Sequence, residues 1–241
     1  MKYLTLLVMA VALTFLLIGC NINSESATET DASPYSSVTI GDTIQLGEFD
    51  WLVLDIQEGN ALVISEKILS QRVWHHEQQL LIWEQSDIRQ YLNEEFLYNT
   101  FTEEERALIV ETSVVNNINP WFGSAGAGAD TMDRIFLLSV EEVVQYFGDS
   151  GLLEELSGRS HAYLSGIVLT DEYNDTRRAT AIEDDITSWW WLRTPGRAVT
   201  PRLDASAAAV SGGGDLVVYG IYLIAEGGVR PALWLGIEGS K

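Results

Sequence analysis

The sequence has few of the residues on which several classes of functional site depend. It contains one cysteine, Cys20, so an internal disulfide, a CxxC redox pair and a thiolate zinc cluster are all excluded. Its 14 Lys and Arg residues are outnumbered by 35 Asp and Glu residues, which gives a formal net charge of −21. Such a surface repels nucleic acid, and we expect no nucleic-acid partner. The sequence also contains no nucleophile elbow, phosphate-binding loop or HExxH motif.

What the sequence does contain is enough apolar material for a folded domain. Hydrophobic residues make up 46% of the chain and aromatic residues 10%, far from the composition of a disordered segment. We predict one globular domain over residues 38–241, since about 200 residues suffice for a sizeable core. Residues 20–37 are rich in Ser, Thr, Glu and Asn, have no apolar period, and are predicted to form a flexible tether.

The N-terminus has the pattern of an exported, lipid-anchored protein. Lys2 precedes an apolar run over residues 3–18, and Gly19 places a small residue directly before Cys20. This pattern resembles the bacterial lipobox, which implies cleavage before Cys20 and acylation of that residue, for example with palmitate. We therefore expect a signal peptide over residues 1–19 and anchorage through Cys20 to the extracytoplasmic face of the cell membrane. A plain signal peptide and a short membrane anchor are the alternatives.

The hydrophobic pattern predicts an α+β fold with strands at both ends and helices between them. Apolar stretches at 51–56 and 61–65 flank a turn and predict a β-hairpin. Further strands are predicted at 134–138, 189–193, 207–210, 216–219 and 229–235, helices around 88–96 and after Thr102 and Ser139, and long loops over 116–130 and 149–187. We expect a single domain with one small, twisted, mostly antiparallel sheet, a few helices and long irregular loops, in which the first and last strands meet.

Three segments carry a resemblance to a known family: GDTIQLGEFDWLVLD at 41–55, WWWLRTPG at 189–196 and GGVRPALWL at 227–235. With them the chain resembles a widespread bacterial domain of unknown function, numbered six thousand two hundred seventy-three, which is typically exported or surface-attached. The order of the last strands is also similar to the C-type-lectin-like domains of the formylglycine-generating-enzyme superfamily. That similarity implies a C-type-lectin-like fold used for ligand binding. One branch oxidises its substrate with active-site cysteines, which this domain lacks.

The aromatic residues of the C-terminal half are candidates for ligand binding. Trp190, Trp191 and Tyr222 could stack on sugars, because a flat apolar ring matches the C–H face of a pyranose. Core packing is the alternative, since tryptophan is on average highly buried.

Two arginines beside prolines, Arg193 and Arg230, form a second group of candidates. Each could capture an anionic ligand, or could form a structural ion pair with a carboxylate such as Asp204 or Asp215.

Acidic residues could supply a metal site. Asp171, Asp175, Asp184 and Asp185 offer oxygen ligands for calcium, although they lack the spacing of an EF-hand. A solvated acidic loop is the alternative.

These observations favour a non-catalytic, lipid-anchored binding module of the cell envelope that recognises a glycan or a protein ligand. The alternative function is a hydrolase or transferase of cell-wall polymer that uses acidic residues near Asp171 to Asp185 as acid and base. A structural part of a surface complex is a third hypothesis, and it predicts exposed apolar patches.

Overall fold

The secondary structure runs from strands to helices and back to strands. A computed structural model describes the chain over residues 33–122, 128–157, 166, 168–197 and 205–238. Within those ranges the strands are β1 (Thr43–Leu46), β2 (Phe49–Gln57), β3 (Asn60–Ser65), β4 (Ser70–Val73), β5 (Ile109–Val110), β6 (Thr112–Val114), β7 (Thr131–Asp133), β8 (Ala179–Thr180), β9 (Thr187–Ser188), β10 (Trp190–Pro195), β11 (Ser206–Val210), β12 (Leu216–Tyr222), β13 (Glu226–Val229) and β14 (Ala232–Gly236). The helices are α1 (Asp87–Tyr91), α2 (Leu97–Thr100), α3 (Glu103–Leu108), α4 (Val140–Phe147), α5 (Leu152–Ser157) and α6 (Asn174–Arg177), with a π-helical segment at Leu92–Phe96 and a 3-10 turn at Trp83–Gln85. The predicted single α+β domain, with mostly antiparallel sheets and few helices, is confirmed.

Two five-stranded sheets form the framework of this domain. The strand orders are β1-β2-β3-β14-β5 in the first sheet and β12-β11-β10-β13-β4 in the second. All neighbouring strands are antiparallel except β10 and β13, which are parallel. The expectation of one small sheet is therefore wrong, because the described residues form these two sheets and two further two-stranded ones, β6-β7 and β8-β9.

The N-terminal hairpin and the C-terminal strand meet in the first sheet. The predicted hairpin is confirmed as β2 and β3, and β14 pairs with β3 from Ala232 opposite Ile64 to Gly236 opposite Asn60. The last strand thus pairs with the third strand, while β1 pairs only with β2, so the first and last strands share a sheet but do not meet as expected. Residues 61–64 are all buried, as a strand covered on both faces requires.

The predicted strand at 229–235 is in fact two strands that belong to different sheets. Strand β13 ends at Val229 in the second sheet, and β14 begins at Ala232 in the first. Pro231, which lies between them, has no N–H to donate to a strand ladder. Its carbonyl instead accepts a hydrogen bond from the Ser65 amide at 2.9 Å. Arg230 and Pro231 therefore form the connection between the two sheets.

The predicted strand at 134–138 is also wrong, although this segment is largely buried. A single bridge joins Phe136 to Ala232. The Asn93 side chain takes the place of a neighbouring strand, because its Oδ1 accepts from the amides of Arg134 at 2.8 Å and Ile135 at 3.2 Å. The backbone polar groups of a buried segment need partners, and here an amide side chain supplies some of them.

Capping residues fix the starts of the two clearest helices. Thr102 and Glu105 form a capping box at α3, and Ser139 and Glu142 form one at α4, both as predicted. Gly148, at a φ of +123°, ends α4. The apolar face of α4 is buried, and it consists of Val140, Val143, Val144 and Phe147.

Two regions differ from, or extend, what the sequence predicts. The segment 149–187, expected to be long loops, contains α5, α6, β8 and β9, whereas the described part of 116–130 has no helix or strand.

The predicted tether reaches the domain, since the Ser33 hydroxyl lies 3.4 Å from the Gly236 carbonyl and the Tyr35 hydroxyl donates to the Gln45 carbonyl at 2.9 Å. The predicted signal peptide and Cys20 lie outside the described residues. None of the described helices has the length and apolar character needed to span a bilayer.

Candidate functional site

The tryptophans proposed for sugar stacking lie in the core. Trp190 and Trp191 are fully buried, and their indole N–H groups donate to the carbonyls of Arg177 at 3.1 Å and Arg72 at 2.9 Å. Trp189 packs edge-on against Trp191 at 4.7 Å between ring centroids. Because neither Trp190 nor Trp191 presents a ring face to solvent, these two residues are not available for stacking on a ligand in this structure.

Arg193 forms a structural ion pair. Its guanidinium makes a two-pronged contact with the Glu142 carboxylate, with 2.7 Å between Nη2 and Oε1, and it also donates to the carbonyls of Leu137 at 2.8 Å and Val115 at 3.0 Å. The side chain is buried. The partner is thus Glu142 and neither of the two carboxylates that the sequence suggested, Asp204 and Asp215. Asp204 lies outside the described residues.

The second suggested partner, Asp215, is occupied elsewhere. Its carboxylate accepts hydrogen bonds from the Thr170 hydroxyl at 2.6 Å, the Asn174 amide at 2.7 Å and the Ser211 hydroxyl at 2.7 Å. Burial raises the pKa of Asp215, but these hydrogen bonds together lower the pKa below its ordinary value. Through Ser211, this carboxylate closes the glycine-rich turn at 212–215.

Asp171, the first residue of the predicted calcium site, neutralises a buried arginine. Its two carboxylate oxygens lie 2.8 Å and 3.0 Å from Nη1 and Nη2 of Arg177, and both side chains are almost fully buried. Ser150 and the Tyr173 amide donate to the same carboxylate. Burial raises the pKa of Asp171, but the hydrogen bonds and the charge of Arg177 together lower it below its ordinary value.

The other three acidic residues do not join Asp171. Asp175 pairs with Arg178 at 3.3 Å, Asp185 pairs with Lys67 at 3.0 Å, and Asp184 accepts from the Ile186 amide at 3.0 Å. Across the described ranges, no group of three or more His, Cys, Asp and Glu side chains is arranged to hold a metal ion. The four candidates therefore serve separate local contacts.

Tyr222 is the one predicted aromatic residue that faces solvent, with 56% of its surface exposed. It lines a cavity of about 420 Å³ together with Gly166, Arg197, Ser206, Tyr219, Gly220 and Ile221. Tyr219 is half-buried, so the cavity has one exposed and one partly covered ring. Neither phenol hydroxyl has a hydrogen-bond partner among the residues that the structure describes. Within that part of the chain, no contact prevents either hydroxyl from binding a polar ligand.

An irregularity in β12 brings the two tyrosines to one cavity. Residues three apart on a regular strand point to opposite faces. Between β11 and β12 the register shifts, because Ala207 pairs with Ile221 whereas Ala209 pairs with Val217. The backbone turns at Gly220, whose φ of +91° is accessible to glycine with little strain. Tyr219 and Tyr222 therefore line the same cavity.

Close backbone packing fixes the base of this Tyr222 cavity. A Cβ on Gly220 would lie 2.7 Å from the Ser206 hydroxyl and 2.8 Å from the Ala207 carbonyl. The Ser206 hydroxyl lies within hydrogen-bond distance of the carbonyls of Arg197, at 2.8 Å, and Tyr219, at 2.9 Å. The cavity is thus built on a rigid strand pair.

Arg230, the last predicted ligand residue, lies apart from Tyr222. It follows β13 in the second sheet, whereas Tyr222 ends β12, which lies three strands away in the strand order. Arg230 lines a separate cavity of about 260 Å³. The structure therefore does not bring the five predicted ligand residues into one site.

A larger cavity contains residues that the sequence did not single out together. It has a volume of about 580 Å³, and its lining includes Arg72, His76, Asp87, Glu94, Glu95 and Glu226. The Nδ1 atoms of His75 and His76 lie 2.7 Å and 2.5 Å from one oxygen of Asp87. Burial raises the pKa of Asp87, but hydrogen bonds from His76 and the two imidazoles together lower it. The adjacent histidines can be recognised in the sequence, but no motif links them to Asp87, which follows twelve positions after His75 and eleven after His76.

Comparison with known proteins identifies a family. A family model described as "Domain of unknown function (DUF6273)" matches residues 58–237, from the β2–β3 turn to just beyond β14. No curated protein and no solved structure matches the chain.

Proposed function

The chain belongs to the DUF6273 family of domains of unknown function, and we propose that it is a non-catalytic binding module of the cell envelope that holds a glycan in the Tyr222 cavity. The observation that carries the proposal is the pairing of an exposed and a half-buried tyrosine around about 420 Å³ of space. Ligand sites in proteins occupy roughly 300–1,000 Å³ and combine apolar rings with a few polar groups. A pyranose fits this description, since its C–H face can stack on a ring while its hydroxyls bond to the phenols.

The charge of the protein favours an uncharged sugar over an acidic one. The net charge of −21 repels anionic polymers at long range. Of the described residues that line the Tyr222 cavity, Arg197 alone carries a full charge. A neutral or N-acetylated sugar would therefore approach this cavity without the repulsion that an acidic polysaccharide meets.

The test is binding of the purified full chain, in detergent, to a glycan array and to purified cell-wall polysaccharide. We expect saturable binding by the unaltered chain and a loss of affinity of up to about tenfold in Tyr222→Ala, because an aromatic contact contributes about 0.5–1.5 kcal/mol. Tyr98→Ala is the matched control, since Tyr98 is also highly exposed but lies on α2.

Two results would contradict the glycan site. One is the absence of binding to any sugar, and the other is equal loss of binding in Tyr222→Ala and Tyr98→Ala.

Each binding measurement is run with calcium and with chelator. We expect no difference between them, because the Asp171 carboxylate is occupied by Arg177.

Attachment of the module to the membrane through a lipid on Cys20 is part of the same proposal. It is supported by the apolar run at 3–18 and by the small residue before Cys20. In cells given radiolabelled palmitate, we expect label in the unaltered chain and none in Cys20→Ser. Equal labelling of both chains would refute lipidation at this residue.

A C-type-lectin-like relationship of the fold remains a proposal too. It is supported by the α+β composition and by the pairing of β3 with β14, which brings the two ends of the domain together. An experimental structure whose strand order superposes on such domains would support the relationship, and a different strand order would end it.

A hydrolase or transferase of wall polymer is the second candidate function. The specific observation in its favour is the 580 Å³ cavity, whose lining includes four carboxylates and the His76 imidazole. Carboxylates and imidazoles are the groups that act as general acids and bases. Release of soluble fragments from wall material between roughly pH 4 and 8, abolished by Glu226→Gln, would favour this function over pure binding.

A further inference from the structure

Three arginines are buried in the described part of the chain, and one of them has no carboxylate partner. Arg177 pairs with Asp171 and Arg193 pairs with Glu142. Arg230, with 3% of its surface exposed, forms no ion pair with any described acidic residue. A buried charge is normally paired, so this arginine requires an explanation.

Two aromatic rings and one backbone carbonyl contact Arg230 on its buried side. Its Nε donates to the Ser65 carbonyl at 2.9 Å, while Nη1 is buried without a hydrogen-bond partner. The central guanidinium carbon lies 5.0 Å from the ring centroid of Trp190 and 5.4 Å from that of Phe147. Burial lowers the pKa of Arg230 to about 10, against a partial opposing effect of Glu66, so the group is still charged at neutral pH.

The chain connection between the two sheets fixes the position of this charge. Arg230 lies between β13 and β14, and Pro231 follows it. Strands flank it in the chain on both sides, so its backbone is held in place by both sheets. An unpaired charge held in this way is preorganised for a partner that comes from outside the chain.

A cavity of about 260 Å³ gives such a partner access to Arg230. Its other lining residues are Glu66, Lys67, Arg178, Ala179 and Thr180. Lys67 pairs with Asp185, and Arg178 pairs with Asp175. Both aspartate side chains are mostly exposed, and exposed ion pairs are weak. Both cations can therefore turn toward a ligand at little cost.

The balance of charges indicates the class of ligand. Three cations, Lys67, Arg178 and Arg230, and one carboxylate, Glu66, form the charged part of the lining, and the exposed carboxylates that pair with Lys67 and Arg178 are not part of it. In a chain with 35 acidic and 14 basic residues, this is a local reversal of sign. A ligand that displaces both of these exposed carboxylates meets a surplus of two positive charges, which a carboxylate ligand would half neutralise and a phosphate dianion would neutralise fully. Guanidinium groups also match the oxygens of phosphate with two-pronged hydrogen bonds.

We propose that the cavity at Arg230 binds a phosphate group, either as free inorganic phosphate or as the phosphomonoester of a sugar or polyol. In the complex, Arg230 donates hydrogen bonds from the buried side, and Lys67 and Arg178 contact the outer oxygens. This site is separate from the Tyr222 cavity, and either site can fail without affecting the other.

The test is isothermal titration calorimetry of the full chain with inorganic phosphate, glycerol phosphate and acetate, in separate arms at low ionic strength. We expect saturable binding of one phosphate per chain and at least about tenfold weaker binding of acetate, since the monoanion loses one charge interaction. Tighter binding of glycerol phosphate than of inorganic phosphate identifies an ester as the ligand, and the reverse identifies the free ion. Absence of saturable binding in both phosphate arms would overturn the proposal.

Arg230→Met is the decisive variant. Methionine has a similar length and no charge, so it removes the desolvation cost of the buried guanidinium, although the Ser65 carbonyl loses its donor. We expect this variant to lose phosphate binding by at least about a hundredfold, because the central donor is gone. Arg106→Gln, whose guanidinium lies over the Tyr98 ring instead, removes the same charge and should bind phosphate as the unaltered chain does.

A second variant keeps the proposal testable if Arg230→Met does not fold. The double change Lys67→Gln and Arg178→Gln alters only partly exposed side chains. We expect it to weaken phosphate binding by about tenfold, since two outer charge interactions are lost. Unchanged phosphate affinity in this double variant, or in folded Arg230→Met, would show that the phosphate site is not this cavity.

Discussion

Changing Asp171 to Asn removes the charge that neutralises Arg177 while keeping the shape of the side chain. The carboxylate makes a two-pronged contact with Arg177 at 2.8 and 3.0 Å, and the pair is almost fully buried. Breaking one partner of such a pair leaves an uncompensated charge in the interior, which costs about 3–5 kcal/mol of unfolding free energy. For a domain of this size each kcal/mol lowers the Tm by about 2–4 °C, so we expect a fall of about 6–20 °C.

The assay is thermal unfolding of Asp171→Asn and Asp175→Asn at neutral pH, followed by circular dichroism. Asp175 is a matched control, because it carries the same charge and also pairs with an arginine, but its side chain is 90% exposed. An exposed pair contributes less than about 1 kcal/mol, so Asp175→Asn should shift the Tm by only a few degrees. Equal destabilisation by the two variants would refute the argument from burial.

The pH dependence gives an independent check on the same carboxylate. The pKa of Asp171 in the folded protein lies below its ordinary value. The stability that the carboxylate contributes is therefore complete above the unfolded pKa of about 3.9 and is lost as the pH falls through the folded pKa. The difference in unfolding free energy between the unaltered chain and Asp171→Asn should shrink in that acidic range. A difference that stayed constant down to acid denaturation would contradict the assignment.

The remaining predictions concern three other contacts. Gly220→Ala should lower the unfolding free energy by more than about 1 kcal/mol, measured by urea denaturation, and should weaken glycan binding, because the new Cβ would clash with Ser206. Glu142→Gln should cost about 2–3 kcal/mol in the same assay, since it leaves the buried Arg193 without an opposite charge. Burial, with a contribution from the nearby Asp55 carboxylate, raises the pKa of Tyr146 to about 12, and burial also raises the pKa of Tyr35, so ultraviolet titration should find tyrosines that ionise late. The stability from the protonated Tyr146 phenol is present below about pH 10 and is lost as the pH rises through the folded pKa.

Local features of the fold could be predicted from the sequence, because their signals lie within a few residues. The hairpin at β2 and β3 follows from two apolar stretches around a turn, and the starts of α3 and α4 follow from capping boxes. The division of residues 229–235 into two strands could have been anticipated from Pro231, since proline interrupts a strand ladder.

Long-range pairings could not be predicted in the same way. Arg193 is bonded to Glu142, 51 residues earlier, and no spacing rule selects that carboxylate from 35 acidic residues. The burial of Trp190 and Trp191 depends on β10 lying in the middle of its sheet, which the sequence of one strand does not reveal. The Tyr222 cavity likewise depends on a register shift against β11, so the sequence did not show that Tyr219 and Tyr222 line one cavity.

The place of β14 in the first sheet has a consequence for how the chain is made. Strand β3 is the central strand of that sheet, and one of its two neighbours is the last strand to be synthesised. At a translation rate of about 5–20 residues per second, β3 waits about 10–30 s for β14. During that time an apolar strand has an open edge, which is a template for aggregation. The nascent chain therefore needs either a holding chaperone or an unfolded state that persists until synthesis ends, and a stop codon just before Ala232 would yield an insoluble product rather than a smaller domain.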